Sequence, residues 1–247
     1  MDKLDAFLSL EIEMHMYIIV IVAMLYIIVH AFRDTKYGSF FDIYLNYIPV
    51  LTHEFGHIFF NRISGGRAKD LVIVATPKER SETLQQGYAI TMYKTRICHI
   101  ITTFGGYVMP PIMLAIGVLT IENQYPSLFI LAYLLIFIYF LLITSRKLLP
   151  FFIVIFLVAI LTLLFKSNDP MMMSYIVSFT CHFILGVLLG EVLQSSWTII
   201  RLNLAKQDIQ WDGRTLKELT FIPSFIYSII WIIFNLYTVY NLFFGIH

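Results

Sequence analysis

Long runs of apolar residues alternate along the chain with shorter segments that hold most of the charged residues. A helix needs about 20 mostly apolar residues to cross the hydrocarbon core of a bilayer. The pattern therefore predicts an all-α polytopic membrane protein with about six to seven transmembrane helices. Seven segments are predicted to form them: 14–32, 41–61, 97–121, 126–144, 148–166, 174–199 and 223–244.

Proline and glycine interrupt one of the predicted helices. The segment 97–121 contains Pro110-Pro111. Since proline lacks a backbone N–H and its ring clashes with the preceding turn, this helix is expected to be bent or broken there. The same segment holds Gly105 and Gly106, where backbones could approach closely near a functional site or where glycine serves packing alone.

Two polar segments lie outside the predicted helices. Residues 61–96 are too long for a simple connection, and they contain two stretches of strand-forming residues: Leu71, Val72, Ile73 and Val74, then 88–93. They predict a small β-hairpin, about 67–93, inserted at the membrane interface. The second polar segment is 200–222. The whole chain, 1–247, is expected to form a single integral membrane domain.

Lys and Arg residues indicate an orientation, because they concentrate in cytoplasmic loops. If the N-terminus is cytoplasmic, the intervening segments place 14 of the 17 Lys and Arg residues on that side of the membrane. The count predicts that residues 61–96 and 200–222 lie on the same, cytoplasmic side as the N-terminus.

Composition excludes several classes of protein. Hydrophobic residues make up 59% of the chain and charged residues only 13%, so a soluble domain could not cover its surface. A net charge of +1 without a basic stripe gives no reason to expect nucleic acid as a partner. Two cysteines, Cys98 and Cys181, are too few for a disulfide scaffold.

The strongest chemical signal is His53-Glu54-Phe55-Gly56-His57 within the second predicted helix. Histidines four residues apart lie on one face of a helix, one turn apart, so both imidazoles can bind one metal ion. Ionisable residues at membrane depth are costly unless they are functional. A catalytic zinc ion has three protein ligands and an open position for water, whose pKa it lowers to about 7. Glu54 would take a proton from that water and deliver it to the leaving amine.

The third ligand has to come from another segment. Because His57 lies near the cytoplasmic end of its predicted helix, the partner should approach from that side. Asp208 and Asp212 in the segment 200–222 qualify, and so does Glu191 in the helix 174–199. Glu191, with Gln194 and Ser195, also forms one polar face of that helix. Glu191 and Asp208 could instead support the metal ligands from behind, or serve only as interhelical hydrogen-bonding and solvated groups.

The sequence resembles the site-2 protease family of intramembrane zinc metallopeptidases, in particular its compact bacterial branch. The resemblance covers about residues 40–240. It rests on the stretches Thr52–His57 with Gly65-Gly66-Arg67, Phe104–Pro110, and Trp211–Leu216 followed by Leu219–Pro223.

The resemblance implies one Zn²⁺ per chain held by His53, His57 and Asp212, in a bacterial cytoplasmic membrane. It also implies a membrane-protein substrate that is cut in or near a transmembrane segment, while the oligomeric state stays open. A helical substrate must unwind before cleavage, and a strand edge could hold it by main-chain hydrogen bonds. Residues 71–74 or 88–93 are candidates for this contact, with Gly105 and Gly106 nearby. The hairpin could also merely cover the site.

Two other functions remain open from the sequence. One family of zinc carriers also has a His-Glu-x-x-His motif on a membrane helix, usually with Pro before the second His, where this chain has Gly56. Those carriers pair it with a second motif and a His-rich loop, which this sequence lacks. A catalytically silent membrane scaffold is the other alternative, although it would have no need of Glu54.

Overall fold

The computed structural model describes residues 3–83, 85–166, 169–205 and 209–245, and it is mostly helical. Within these ranges the helices are α1 (Lys3–Leu8), α2 (Met16–Ala31), α3 (Lys36–Leu45), α4 (Tyr47–Ile63), α5 (Pro77–Thr83), α6 (Arg96–Glu122), α7 (Pro126–Ile143), α8 (Leu148–Lys166), α9 (Pro170–Leu204), α10 (Asp212–Thr220) and α11 (Ser224–Phe244). The strands are β1 (Arg67–Ile73) and β2 (Gly87–Met92).

Four helices among the described residues are long and apolar enough to cross a membrane: α6, α7, α9 and α11. Two further apolar helices are shorter, namely α2 and the stretch Leu148–Leu163 of α8. The prediction of a helical membrane protein is therefore confirmed in outline. Its finer count of six to seven crossings stays a prediction.

The predicted helix 41–61 is wrong as a single element, because the chain divides it at Asn46 into α3 and α4. The side-chain amide of Asn46 donates to the backbone carbonyl of Asp42 at 2.9 Å, and Asn46 also bonds to the hydroxyl of Tyr26. A side chain that hydrogen-bonds locally in this way offers the backbone an alternative to a continuous helix.

The expected break at Pro110-Pro111 does not occur, since α6 runs without interruption from Arg96 to Glu122. Both prolines are buried within the bundle. Packing against neighbouring helices can hold such a helix together despite the missing backbone hydrogen bonds.

The predicted β-hairpin is confirmed. Strands β1 and β2 pair antiparallel, with Leu71 opposite Ala89, and the register shifts between Ala68 and Asp70. The polar stretch between the strands is not a plain loop, because it contains α5. Ion pairs from Arg80 to Asp42 of α3 and from Glu79 to Arg146 tie α5 to the bundle.

Contacts at the two ends of α7 show where the N-terminal segment lies relative to the β-sheet. At its first turn, Ser127 donates to the carbonyl of Phe7. Beyond its other end, the backbone N–H of Ser145 donates to Asp70 of β1 at 2.8 Å. An 18-residue helix is about 27 Å long. The sheet and the N-terminal segment therefore lie at opposite ends of the bundle, which we call the sheet end and the far end.

A contact between the residue preceding α2 and α9 agrees with this placement, because the backbone N–H of His15 donates to Nε2 of His182 at 2.7 Å. The predicted position of the N-terminus on the same side as residues 61–96 is thus wrong. The prediction counted 41–61 as one crossing. Instead, Asp42 of α3 contacts α5, and Ser64 just after α4 contacts Cys98 near the start of α6. Both ends of the α3–α4 pair therefore face the sheet end.

A small second core holds α10 in place. Ile199, Leu216, Tyr227 and Trp231 are buried together, and Phe104, Tyr107 and Trp211 pack around them. This cluster joins α10 to α6, α9 and α11. It is separate from the main core of the bundle, to which α4 belongs.

Candidate active site

Helix α4 presents His53 and His57 on one face, with their Nε2 atoms 3.2 Å apart. The neighbouring helix α6 approaches this face closely because glycines meet at the crossing. A Cβ atom added to Gly56 would lie 2.6 Å from the carbonyl oxygen of Gly105, and one added to Gly105 would lie 2.4 Å from the ring of Phe60. Any larger side chain at either glycine would push the two helices apart.

The protonated nitrogen of His57 can be assigned from its partner. Nδ1 lies 2.9 Å from the backbone carbonyl oxygen of Thr102, which can only accept a hydrogen bond. In the neutral imidazole, Nδ1 therefore carries the hydrogen and Nε2 presents its lone pair. A metal-binding histidine is usually oriented by such a second hydrogen bond.

Asp212 completes the group from the first turn of α10. Its Oδ2 atom lies 3.5 Å from Nε2 of His53 and 3.4 Å from Nε2 of His57. The side chain does not cap its own helix, since Trp211 occupies the N-cap position. Burial of Leu216 anchors α10, and the indole of Trp211 packs so closely on Gly213 that a Cβ there would clash.

Asp212 supplies a negative charge to the group. Burial opposes ionisation of this carboxyl, but the adjacent imidazoles of His57 and His53 hold its pKa below its usual range. The group is therefore an anion at neutral pH.

The three ligand atoms fit a zinc ion in both chemistry and spacing. Two imidazole nitrogens and one carboxylate oxygen are ordinary zinc ligands, which bind at about 2.0–2.2 Å in a tetrahedron. Ligand atoms at that radius are about 3.3–3.6 Å apart by tetrahedral geometry. The observed separations are 3.2, 3.4 and 3.5 Å. Within the described residues, His53, His57 and Asp212 form the group able to hold a metal ion.

Gly106 of α6 leaves room beside these atoms. A Cβ atom at this position would lie 2.4 Å from Nε2 of His57 and 2.8 Å from Nε2 of His53. The absence of a side chain at Gly106 is therefore a condition for the two ligand nitrogens to lie where they do.

Glu54 lies in the same cavity as the three ligands and is 8% exposed. The backbone of Ala89 in β2 lies beside its carboxylate. Gly87, also in β2, is close as well, since a Cβ there would lie 3.2 Å from Cγ of Glu54. The edge of β2 thus borders the carboxylate of Glu54.

The cavity has a volume of about 550 Å³ and reaches from the three ligand atoms towards the sheet. Its walls come from α4, β2, α6, α9 and the start of α10. Besides the residues already described, it is lined by Gln85, Gln86, Tyr88, Thr91, Tyr93, His99, Thr103, Tyr107, Gln194, Ser195 and Thr198.

The hairpin contributes its second strand to the cavity. Leu71, Val72, Ile73 and Val74, predicted as possible substrate contacts, are buried in the core and do not line the cavity. The other candidate stretch, 88–93, does reach it through Tyr88, Ala89, Thr91 and Tyr93. Of the two predicted glycines, Gly106 lies against the ligand histidines and Gly105 against Phe60.

Glu191 lies on the cavity wall and does not join the ligand group. Its carboxyl group is 2.5 Å from the hydroxyl of Tyr26, which also bonds to Asn46. Gln194 and Ser195 line the same wall, as the polar face of their helix suggested. Asp208 lies outside the described residues.

Several cavity residues carried no distinctive sequence signal. Tyr107 contacts the ring of His53 with centroids 4.8 Å apart, and His30 and Arg33 also line the cavity. Aromatic residues are too frequent in this chain for one tyrosine to stand out. Only its position directly after Gly105-Gly106 marks Tyr107.

The chain was compared with known proteins. Residues 16–242 match the family model described as Peptidase M50B-like. Searches of curated proteins and of solved structures gave no match. The family match spans most of the chain and includes every element of the candidate site. The proteases of this family are zinc-dependent, as the His53, His57 and Asp212 group would require. The chain therefore belongs to the Peptidase M50B-like family, the site-2 protease family of membrane metalloproteases.

Proposed function

We propose that this protein is a zinc-dependent endopeptidase of the HExxH type, which hydrolyses a peptide bond in or near a transmembrane segment of a membrane-protein substrate. The observation that carries the proposal is the triangle of His53, His57 and Asp212 ligand atoms, with Glu54 in the same cavity. Family membership supports the protease class.

His53, His57 and Asp212 would hold one zinc ion. When bound, zinc supplies a Lewis acid for the scissile carbonyl and for the attacking water. Glu54 accepts the proton of that water and passes it to the amine that leaves when the peptide bond breaks. Thr102 keeps His57 in the tautomer that presents Nε2 to the site.

Strand β2 is the proposed platform for the substrate. It pairs with β1 on one side, and on its other side Gly87, Ala89 and Thr91 reach the cavity. An unwound substrate segment laid along this edge would gain main-chain hydrogen bonds, which replace those it lost from its own helix. The scissile bond would then lie beside Glu54.

We also propose that the sheet end faces the cytoplasm. Of the 16 Lys and Arg residues within the described ranges, 14 belong to segments at the sheet end, and only Lys3 and Lys166 belong to the far end. Cytoplasmic loops are enriched in Lys and Arg. The active site would then open to the cytoplasmic side of the bilayer, and the N-terminal segment would lie outside.

The proposal is tested with purified protein in proteoliposomes that also contain a single-span reporter protein. The parent should cut the reporter, whereas Glu54→Gln should retain one zinc ion per chain and lose about 10²–10⁴-fold in rate, which is the usual contribution of general acid–base catalysis. Cleavage by Glu54→Gln at the parental rate would contradict the assignment of Glu54. A parent that moves zinc across the vesicle membrane without cutting any reporter would identify a transporter, and one that does neither a scaffold.

A further inference from the structure

Tyr107 is held rigidly on the wall of the cavity. Its ring meets that of His53 edge to face, with centroids 4.8 Å apart. On other sides it packs against Trp231 at 4.6 Å and Trp211 at 6.5 Å. The backbone of its neighbour Gly106 lies against the ligand nitrogens. A side chain fixed in this way cannot swing out of the site without disrupting the aromatic cluster.

The hydroxyl group of Tyr107 differs from those of three other tyrosines in the structure. The hydroxyls of Tyr26, Tyr133 and Tyr227 each hydrogen-bond to a neighbouring side chain. Among the described residues none hydrogen-bonds to the hydroxyl of Tyr107, and that oxygen is not sealed inside the protein. Phenol hydroxyls in protein interiors usually have a partner. The partner of this one is therefore expected in the cavity.

Three acidic side chains surround the same space. Asp212, Glu54 and Glu191 all interact electrostatically with Tyr107. Each of them accepts hydrogen bonds when ionised, so none can donate to an oxygen that gains negative charge. A phenol is a neutral donor that keeps its proton at neutral pH, so Tyr107 can donate to such an oxygen where these three carboxylates cannot.

Two donors near the ligands are already engaged. Nδ1 of His57 donates to the carbonyl of Thr102, and the hydroxyl of Thr102 donates to the carbonyl of Cys98 at 2.7 Å. The hydroxyl of Tyr107 has no such partner among the described residues, and its ring contacts that of His53 directly.

We propose that Tyr107 is a further catalytic residue, whose hydroxyl donates a hydrogen bond to the carbonyl oxygen of the scissile peptide. This inference rests on the proposed protease function. As water adds to the carbonyl carbon, the π electrons of the C=O bond move to oxygen and the hydrogen bond from Tyr107 strengthens. The proton stays on Tyr107 throughout. Donors placed where negative charge develops stabilise the transition state more than the bound substrate.

The test compares Tyr107→Phe with Tyr227→Phe. Tyr227 belongs to the same aromatic cluster, but its hydroxyl bonds to Thr220 and it does not line the cavity. We expect Tyr107→Phe to lower kcat by about 10²–10³, the usual effect of removing one such donor. KM should change less than about twofold and zinc content should not change, because substrate binding and the ligands are untouched. Tyr227→Phe should behave as the parent does.

A second readout is the affinity for a peptide phosphinate. Its tetrahedral phosphorus replaces the scissile carbonyl carbon, and its oxygens mimic those of the charged tetrahedral intermediate. Tyr107→Phe should weaken its binding by the same factor as kcat. Parental kcat in Tyr107→Phe, or a rise in KM with unchanged kcat, would overturn the inference. The parent and Glu54→Gln are measured first, so absence of Glu54-dependent cleavage in the parent would reject the protease function itself.

Discussion

At the scale of single residues, the two histidines could be predicted from sequence and their partners could not. His53 and His57 are four positions apart, and helical periodicity alone places both on one face. Asp212 is far away along the chain, so residue spacing gave no reason to prefer it to Asp208 or Glu191 as the third ligand. Only the family resemblance favoured it. The contact of Gly106 with both imidazoles depends on how α4 and α6 cross, which no local pattern specifies.

Replacement of Asp212 tests the third ligand. Asp212→Ala removes the carboxylate oxygen that lies 3.4–3.5 Å from the two histidine nitrogens. Zinc affinity should fall by more than about 100-fold, since even indirect partners of ligands contribute about 10–100-fold. Asp208→Ala is the matched control and should keep parental affinity in a competition titration with a chelator. Equal zinc content in both variants under the chelator would mean that Asp212 is not a ligand.

Replacement of Gly106 tests the space beside the ligands. In Gly106→Ala the new methyl group would lie 2.4 Å from Nε2 of His57, so we expect zinc binding to be lost while the helical content stays the same. Gly186→Ala is the control, because its methyl group would clash equally closely with Val22, far from the site. The control should lose about 1–3 kcal/mol of stability through overpacking and still bind one zinc ion. Full zinc binding by Gly106→Ala would contradict the geometry of the triangle.

At the scale of elements, hydropathy predicted the helices that pass straight through the bundle and failed where side chains redirect the backbone. α6, α7, α9 and α11 follow from long apolar runs. The division of α3 from α4 depends on one amide, that of Asn46, and its hydrogen bond to Asp42. The strands of the hairpin were visible as clusters of strand-forming residues, but which edge borders the cavity depends on tertiary packing.

The exposed edge of β2 gives a prediction at this scale. Ala89→Pro removes a backbone N–H on the open edge of β2, which an added substrate strand would use. Proline is tolerated on the open edge of a strand, so the fold should persist. We expect kcat/KM for the reporter to fall at least about tenfold with zinc content unchanged. Ala89→Ser keeps the N–H and should retain most activity, and equal activity of the two variants would exclude strand addition at this position.

At the scale of the whole molecule, the side of the membrane on which each segment lies was the least predictable property. A charge count assigns successive segments to alternate sides of the membrane, so it depends on the number of crossings. One misassigned crossing reverses the side given to every segment before it. The contacts of Phe7 with Ser127 and of His15 with His182 fix the far end independently of that count.

Accessibility labelling tests the resulting orientation. Cys98 and Cys181 are buried, so single cysteines introduced at exposed positions can be labelled selectively by a membrane-impermeant maleimide. With the sheet end in the cytoplasm, Ser9→Cys should react in intact cells, and Ser81→Cys of α5 should react only after the membrane is permeabilised. Reaction of both from the same side would contradict the opposite placement of the N-terminal segment and the sheet.

The separate anchoring of α10 has a thermodynamic consequence. Two ligands belong to α4 in the main core, and the third belongs to a helix held by a second cluster around Trp231. Metal affinity and the docking of α10 are then linked equilibria, so each must favour the other by the same factor. A partner or substrate that draws α10 away from α6 would weaken metal binding, and a bound metal would resist that displacement. Metal occupancy would thereby report on the attachment of a helix that makes up only nine residues of the chain.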